Sequence, residues 1–367
     1  MKWSLFIGKP FGIRLYIHWT FLILLIWISL NSVRAGADFF QASLSVLFML
    51  CVFSCVLLHE MGHALTGKKF GYATKRITLL PIGGVASMDE IPTNPRHELL
   101  VTIAGPAVNL ILALLFSSVF LTEKKFSFDY LHLNSGRDFL ANLFLVNISL
   151  LIFNLIPAFP MDGGRILRSV LTLQLKNRVK ATGIASGVGK VFSVVFFVTG
   201  IFFNPFLAVI GVVVFLMAHT ENEMVRSGNL LSRFSVADVL MKNYHTLTTK
   251  NTMADAVKLL LDVQASDFVV MNGDEIAGLL SRDDIIRALS VNGNDGIVSD
   301  TMSKNFICFT PNQSLDSAYS TLLRSSAGII PVTEGNKLLG IVDAENIREF
   351  ILVQQAKQLQ RNSYRIF

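Results

Sequence analysis

The chain has 367 residues, of which 52% are hydrophobic and only 16% charged, with a mean hydropathy of +0.53. These values exclude an ordinary soluble globular protein. The net charge of +6 is uneven: Lys plus Arg exceed Asp plus Glu by nine in residues 1–234 and fall three short in 235–367. The basic excess therefore travels with the apolar runs, where cations flank membrane spans, and argues against nucleic acid as a partner.

The N-terminal MKWSLFIGKPFGIRLY lacks the short apolar core and small-residue cleavage site of a removable signal. The first apolar run, 15–31, is accordingly read as a retained span. A second candidate, 41–66, carries CVFSCVLLHEMGHALTG. In a helix, His59 and His63 are i and i+4 and share one face, with Glu60 displaced around the axis. Two imidazoles one turn apart can hold one metal ion while Glu60 acts as general base on the attacking water. The bland alternative is a hydrogen-bonding histidine pair beside an incidental Glu, but burying three such groups in an apolar span is costly without a function. Cys51 and Cys55 continue this face and read as packing residues, because a fourth protein ligand would close the position that catalysis needs. With Cys308 they make no disulfide framework, which suits a soluble part facing a reducing compartment. His18 is read as snorkelling to the membrane surface or bonding another span.

Residues 73–90, ATKRITLLPIGGVASMDE, suggest a small hairpin or sheet at the membrane surface, whose edge could pair with an extended polypeptide. A re-entrant connection is the competing reading. Candidate spans follow at 97–121 and 138–160, the latter expected to break near Pro157 and Pro160, which requires surrounding protein or a water-lined cavity. Asn109 and Asn147 read as bridges between helices. Asp162, just past the break, supports two readings. It N-caps a helix starting near Arg165, or it completes the three-ligand set of a catalytic zinc with His59 and His63. Of the acidic residues in 1–234, only Glu60 and Asp162 are read as lying within or at the end of an apolar run.

HEMGHA at 59–64, PIGG at 81–84 and NLIPAFPMDGG at 154–164 together resemble the site-2 proteases, intramembrane zinc metalloproteases, over roughly residues 10–222. That resemblance implies one zinc ion bound by His59, His63 and Asp162, with Glu60 as base. It also implies that Asn154 helps hold the substrate or oxyanion, and that substrates are transmembrane proteins. Met161 stands where the family often has Leu.

The last two candidate spans, 182–203 and 205–222, are separated by Asn204-Pro205 and predict a tight helical hairpin, with Lys190 marking the inner end of the first. With a cytoplasmic N-terminus, thirteen Lys or Arg fall on inside segments and four (Arg34, Lys124, Lys125, Arg137) on outside loops, the positive-inside pattern. Six crossings return the chain to the cytoplasm of a cell-membrane protein.

Residues 235–367 contain a repeat at an offset of 62: Ala256 matches Ala318, Gly278 matches Gly340 and Asp284 matches Asn346. Each copy predicts a helix, two strands joined by an acidic Gly turn, and a closing helix. This tandem resembles a CBS pair. GLLSRDD at 278–284 fits that family's ribose-contacting pattern, implying Ser281 and Asp284 as contacts to an adenine nucleotide (AMP, ADP or ATP). The second copy, GIVDAEN, departs from it at Asp343 and Asn346. The resemblance also allows a homodimer formed through the pair, and a ligand-free dimerisation module remains the competing reading.

The expected architecture is a polytopic α-helical membrane protein, with about six transmembrane helices and a small membrane-associated β element, followed by a soluble α/β tandem CBS pair. The expected segments are a lipid-embedded protease domain (1–225), a linker (226–234), CBS copies at 235–291 and 295–353, and a polar tail (354–367). Two other readings compete: a catalytically silent, nucleotide-sensing scaffold and a CBS-gated transporter. The transporter needs a polar pathway that the spans do not show.

Overall fold

The computed structural model describes residues 4–81, 83–88, 92–118, 136–263, 267–325 and 327–363. Ile82 of the PIGG segment, residues 119–121 of the third predicted span, and Lys124 and Lys125 lie outside them. The chain forms two compact units, Met1–Glu223 and Met224–Phe367.

The first unit opens with strands β1 (Ser4–Gly8) and β2 (Arg14–His18), followed by helix α1 (Thr20–Arg34). The predicted first span is thus corrected. Its start is a strand, and the 15-residue α1 covers about 22 Å, short of the roughly 30 Å hydrocarbon layer. His18 closes β2, where its Nδ1 lies 2.8 Å from Thr20 Oγ1. Helix α2 (Phe39–Lys69) starts at a reciprocal cap between Asp38 and Gln41 and ends with Lys68 and Lys69 against its C-terminal dipole. Strands β3 (Thr74–Leu80) and β4 (Gly83–Met88) form the expected hairpin. The resulting four-stranded sheet has the order β1-β2-β3-β4, with β2 and β3 parallel. Ile13, Leu15 and Ile77 pack on Met61 and Ala64, which seats the sheet on the HEMGH turn of α2.

Helices α3 (Pro95–Phe116), α4 (Gly136–Leu155), α5 (Asp162–Leu175), α6 (Arg178–Phe203) and α7 (Pro205–Leu231) follow. With α2, all but α5 are long and apolar enough to cross a membrane, making five such helices among the described residues. The expected break after the fourth span occurs at Leu155, and the α6–α7 hairpin turns at Asn204 as predicted. Lys190 sits midway along α6, over the Phe215 ring at 5.6 Å, rather than at its inner end. Asn147 bridges helices as expected, donating to Cys55 Sγ of α2 at 3.5 Å. Asn109 is fully buried, and its amide has no hydrogen-bond partner among the described residues.

The second unit begins with the last turns of α7, which include residues 226–231 of the predicted linker. It then runs through β5 (Thr246–Thr248), α8 (Met253–Val263), β6 (Asp267–Asn272), β7 (Glu275–Ser281) and α9 (Arg282–Asn292). The second copy supplies α10 (Val298–Thr301), α11 (Leu315–Arg324), β8 (Ile329–Glu334), β9 (Lys337–Asp343) and α12 (Ala344–Ser363). The repeats exchange their opening segments. Val236 and Val239 are buried with Leu315, Ile330 and Ile347 of the second copy, whereas Val298 is buried with Phe268, Leu280 and Ile285 of the first. Each apolar core is thereby closed by a piece of the other copy, so that neither copy buries its core alone.

Candidate metal centre

Helical spacing on α2 places His59 and His63 on one face, and their Nε2 atoms lie 3.1 Å apart. The turn after Leu155 then delivers Asp162, whose Oδ2 is 3.2 Å from both Nε2 atoms. His59 and Asp162 are 6% and 8% exposed. The capping alternative for Asp162 does not apply: α5 begins at Asp162 itself, its N-cap is Met161, and no side chain caps it. The carboxylate is free to face the histidines.

Two features test whether a metal fits. His63 Nδ1 is 2.8 Å from the Val101 carbonyl of α3. A carbonyl only accepts, so Nδ1 carries a proton, and in the neutral ring Nε2 then presents its lone pair toward Asp162 Oδ2. A lone pair facing a carboxylate oxygen is unfavourable unless a cation lies between them. The spacing also suits one: tetrahedral zinc with ligands at about 2.0–2.1 Å separates them by about 3.3–3.4 Å, close to the 3.1–3.2 Å found here. Among the described residues, this is the one group of three His, Cys, Asp or Glu side chains arranged to hold a metal.

Glycines make the room. A Cβ at Gly105 of α3 would overlap the His63 ring and come within 2.8 Å of His59 Cε1, and one at Gly84 of β4 would lie 2.7 Å from Glu60 Cγ. Cβ atoms at Gly163 and Gly164 would strike the backbone of the 155–159 turn, the close approach expected there. Glu60 is half-buried beside the β4 edge. Asn154 is half-buried in the last turn of α4, and no hydrogen bond joins it to the cluster among the described residues.

Gly105, Val101 and a buried ion network escaped the sequence reading. Glu98 and Glu221 both lie in or beside apolar runs and pair with Arg168, so Glu60 and Asp162 are not the only such acids. Gly105 had a signal, an isolated glycine inside an apolar helix. The Val101 contact had none, because it uses a main-chain carbonyl.

In the second unit, Ser281 and Asp284 are together but bonded to each other. Ser281 Oγ donates to Asp284 Oδ2 at 2.6 Å and accepts from Asp284 N at 3.2 Å, capping α9. In the second copy, Asn346 N donates to Asp343 Oδ1 at 2.7 Å, and Asn346 Nδ2 donates to the Val239 carbonyl at 2.6 Å. The Asn346 amide is thus committed to a structural bond.

Residues 47–134 and 128–196 match peptidase family M50, and residues 236–291 and 298–353 match the CBS domain. The zinc metalloprotease MJ0392 of Methanocaldococcus jannaschii is 32% identical across 98% of the chain and 99% of that protein. The solved site-2 protease from the same organism is 35% identical, covers 60% of the chain and 95% of its own, and superposes with a TM-score of 0.43. The CBS domain-containing protein YhcV of Bacillus subtilis is 27% identical over 29% of the chain and 79% of that protein.

Proposed function

Since the chain belongs to peptidase family M50, as a multi-pass zinc metalloprotease of the site-2 type with a CBS pair, we propose that it cleaves peptide bonds in or near transmembrane segments, at His59, Glu60, His63 and Asp162. The observation that carries this reading is the triangle of Nε2, Nε2 and Oδ2 atoms, built about ten residues inside the end of a 31-residue apolar helix. When bound, zinc polarises the scissile carbonyl and acidifies water. His59, His63 and Asp162 hold the ion, and the Val101 carbonyl fixes the His63 ring. Glu60 takes the proton of the attacking water and returns it to the leaving amine, and Asn154 helps hold the substrate carbonyl.

A helical peptide has its carbonyls engaged by its own hydrogen bonds, so the substrate must unwind before attack. Among the described residues β4 is an edge strand, and a Cβ at its Gly84 would run into Glu60; we assign it the unwound segment, which would gain strand hydrogen bonds in place of the helical ones. With the short apolar α1 taken as a sixth crossing beside the five long helices, the thirteen-to-four cation bias supports a cytoplasmic N-terminus and CBS pair in the cell membrane.

In lipid vesicles holding a model transmembrane substrate, the native chain is expected to cut within the span, stop on chelation and resume with added zinc. Uncut substrate at full zinc occupancy would favour the silent scaffold.

The pattern at Ser281 and Asp284 supports an adenine nucleotide as regulator, its ribose hydroxyls donating to the Asp284 carboxylate in place of the Ser281 hydroxyl. Equilibrium dialysis of the full chain should show AMP, ADP or ATP binding that weakens at least about tenfold in Asp284→Ala, the worth of one hydrogen bond to a charged group. Binding of none of the three removes the nucleotide.

A further inference from the structure

Arg168 lies on α5, six residues after Asp162, and is 1% exposed. Its Nη2 donates to Glu98 of α3 and its Nη1 to Glu221 of α7. The guanidinium also sits over the ring of Phe159, 5.1 Å from its centroid, in the turn that leads into Asp162. Arg178, at the start of α6, brings its Nη2 within 3.6 Å of Glu98 Oε1 and donates to the Pro92 carbonyl at 2.9 Å. Two cations and two carboxylates balance, so the network carries no net charge.

Such a network gains little stability over well-packed apolar side chains, because each ion must be stripped of water. What it does supply is direction. A guanidinium is a planar fork of donors in fixed geometry, and here its arms span two carboxylates on different helices. Glu98 is one turn from Val101, whose carbonyl holds His63, and two turns from Gly105, on which both imidazoles rest. One side chain thus ties together the turn before Asp162, the helix that begins with it, and the helix that sets the histidines.

We infer that Arg168 is a positioning residue for the metal centre, holding α5 against α3 so that Asp162 Oδ2 stays within reach of both histidines. The inference rests on the metalloprotease reading above.

The test is metal binding by the full chain in detergent, read by zinc competition with a chelator and by the visible absorption of the cobalt-substituted protein. Arg168→Gln is expected to weaken zinc up to about tenfold, the lower end of what losing a direct partner of a ligand costs, because Arg168 acts one contact further out, and to shift the cobalt spectrum. Arg168→Lys cannot span both carboxylates and should recover only part of the loss. If Arg168→Gln does not fold, Glu221→Gln serves instead, since that carboxylate is 24% exposed and Arg168 keeps Glu98; a smaller zinc loss with a shift in the same direction is expected. A merely structural arginine would lower thermal stability yet leave zinc affinity and the cobalt spectrum native, and that result in the folded variant overturns the inference. Asp162→Ala measured alongside separates the two ideas. Native zinc affinity there sinks the metalloprotease reading, whereas zinc loss there with a native Arg168→Gln sinks the positioning role alone.

Discussion

Glu60→Gln is expected to yield a folded, zinc-loaded protein whose cleavage of a transmembrane substrate falls on the order of 10²–10⁴-fold, the usual worth of a general base. The substitution keeps the side chain's size, which matters because Glu60 fills the space that a side chain at Gly84 would need. It removes only the capacity to take a proton. His59, His63 and Asp162 are untouched, so zinc affinity should stay within about threefold of native, below the 10–100-fold that losing an outer-shell partner costs. Single-turnover cleavage in vesicles, with metal content measured on the same sample, reads both quantities. Undiminished cleavage would remove Glu60 from the chemistry, and joint loss of zinc and activity would recast it as a support for the metal site.

Asp162→Ala should do the opposite and empty the site. The carboxylate oxygen is equidistant, at 3.2 Å, from the two imidazole nitrogens and supplies the only negative charge of the triad. Its removal should weaken zinc more than about 100-fold, beyond the outer-shell range, with cleavage lost in proportion. The cost to folding is far smaller. No side-chain cap is lost, because Asp162 is already inside α5, and an acid in a helix's first turn is worth about 0.3–1 kcal/mol. Zinc titration against a chelator, paired with thermal unfolding, separates the effects. A protein that unfolds yet holds zinc would return Asp162 to a capping role.

Much of this site is legible in the chain because its parts are local. The i, i+4 spacing of His59 and His63 becomes a shared face through helix geometry alone, and that geometry holds wherever a helix forms. Pro157, Pro160 and the Gly163-Gly164 pair announce a break, and the acid beside it stands out in apolar surroundings. The repeat at an offset of 62 likewise announces two α/β copies, although the exchange of their opening segments does not show, because a core's missing wall can come from anywhere in the chain.

Other features depend on which segments meet. Hydropathy reads 15–31 as one run, yet a strand ends at His18 and a helix begins at Thr20. The strand forms because β3, some sixty residues later, offers it a partner, with Leu15 opposite Ile77. Arg168 and Arg178 look like cations flanking spans, and Glu98 and Glu221 pass unnoticed beside them. Coulomb attraction at low dielectric makes them a network only once four helices converge. The orientation of His63 rests on a main-chain carbonyl and the space for its ring on Gly105, neither of which has a chemical signature in sequence. Residue spacing along the chain thus points to the His59–His63 pair and to Glu60 and Asp162 as the candidate metal-site residues. Their distances, tautomer and support come from packing between helices, since these depend on separations of a few tenths of an ångström that no linear spacing encodes.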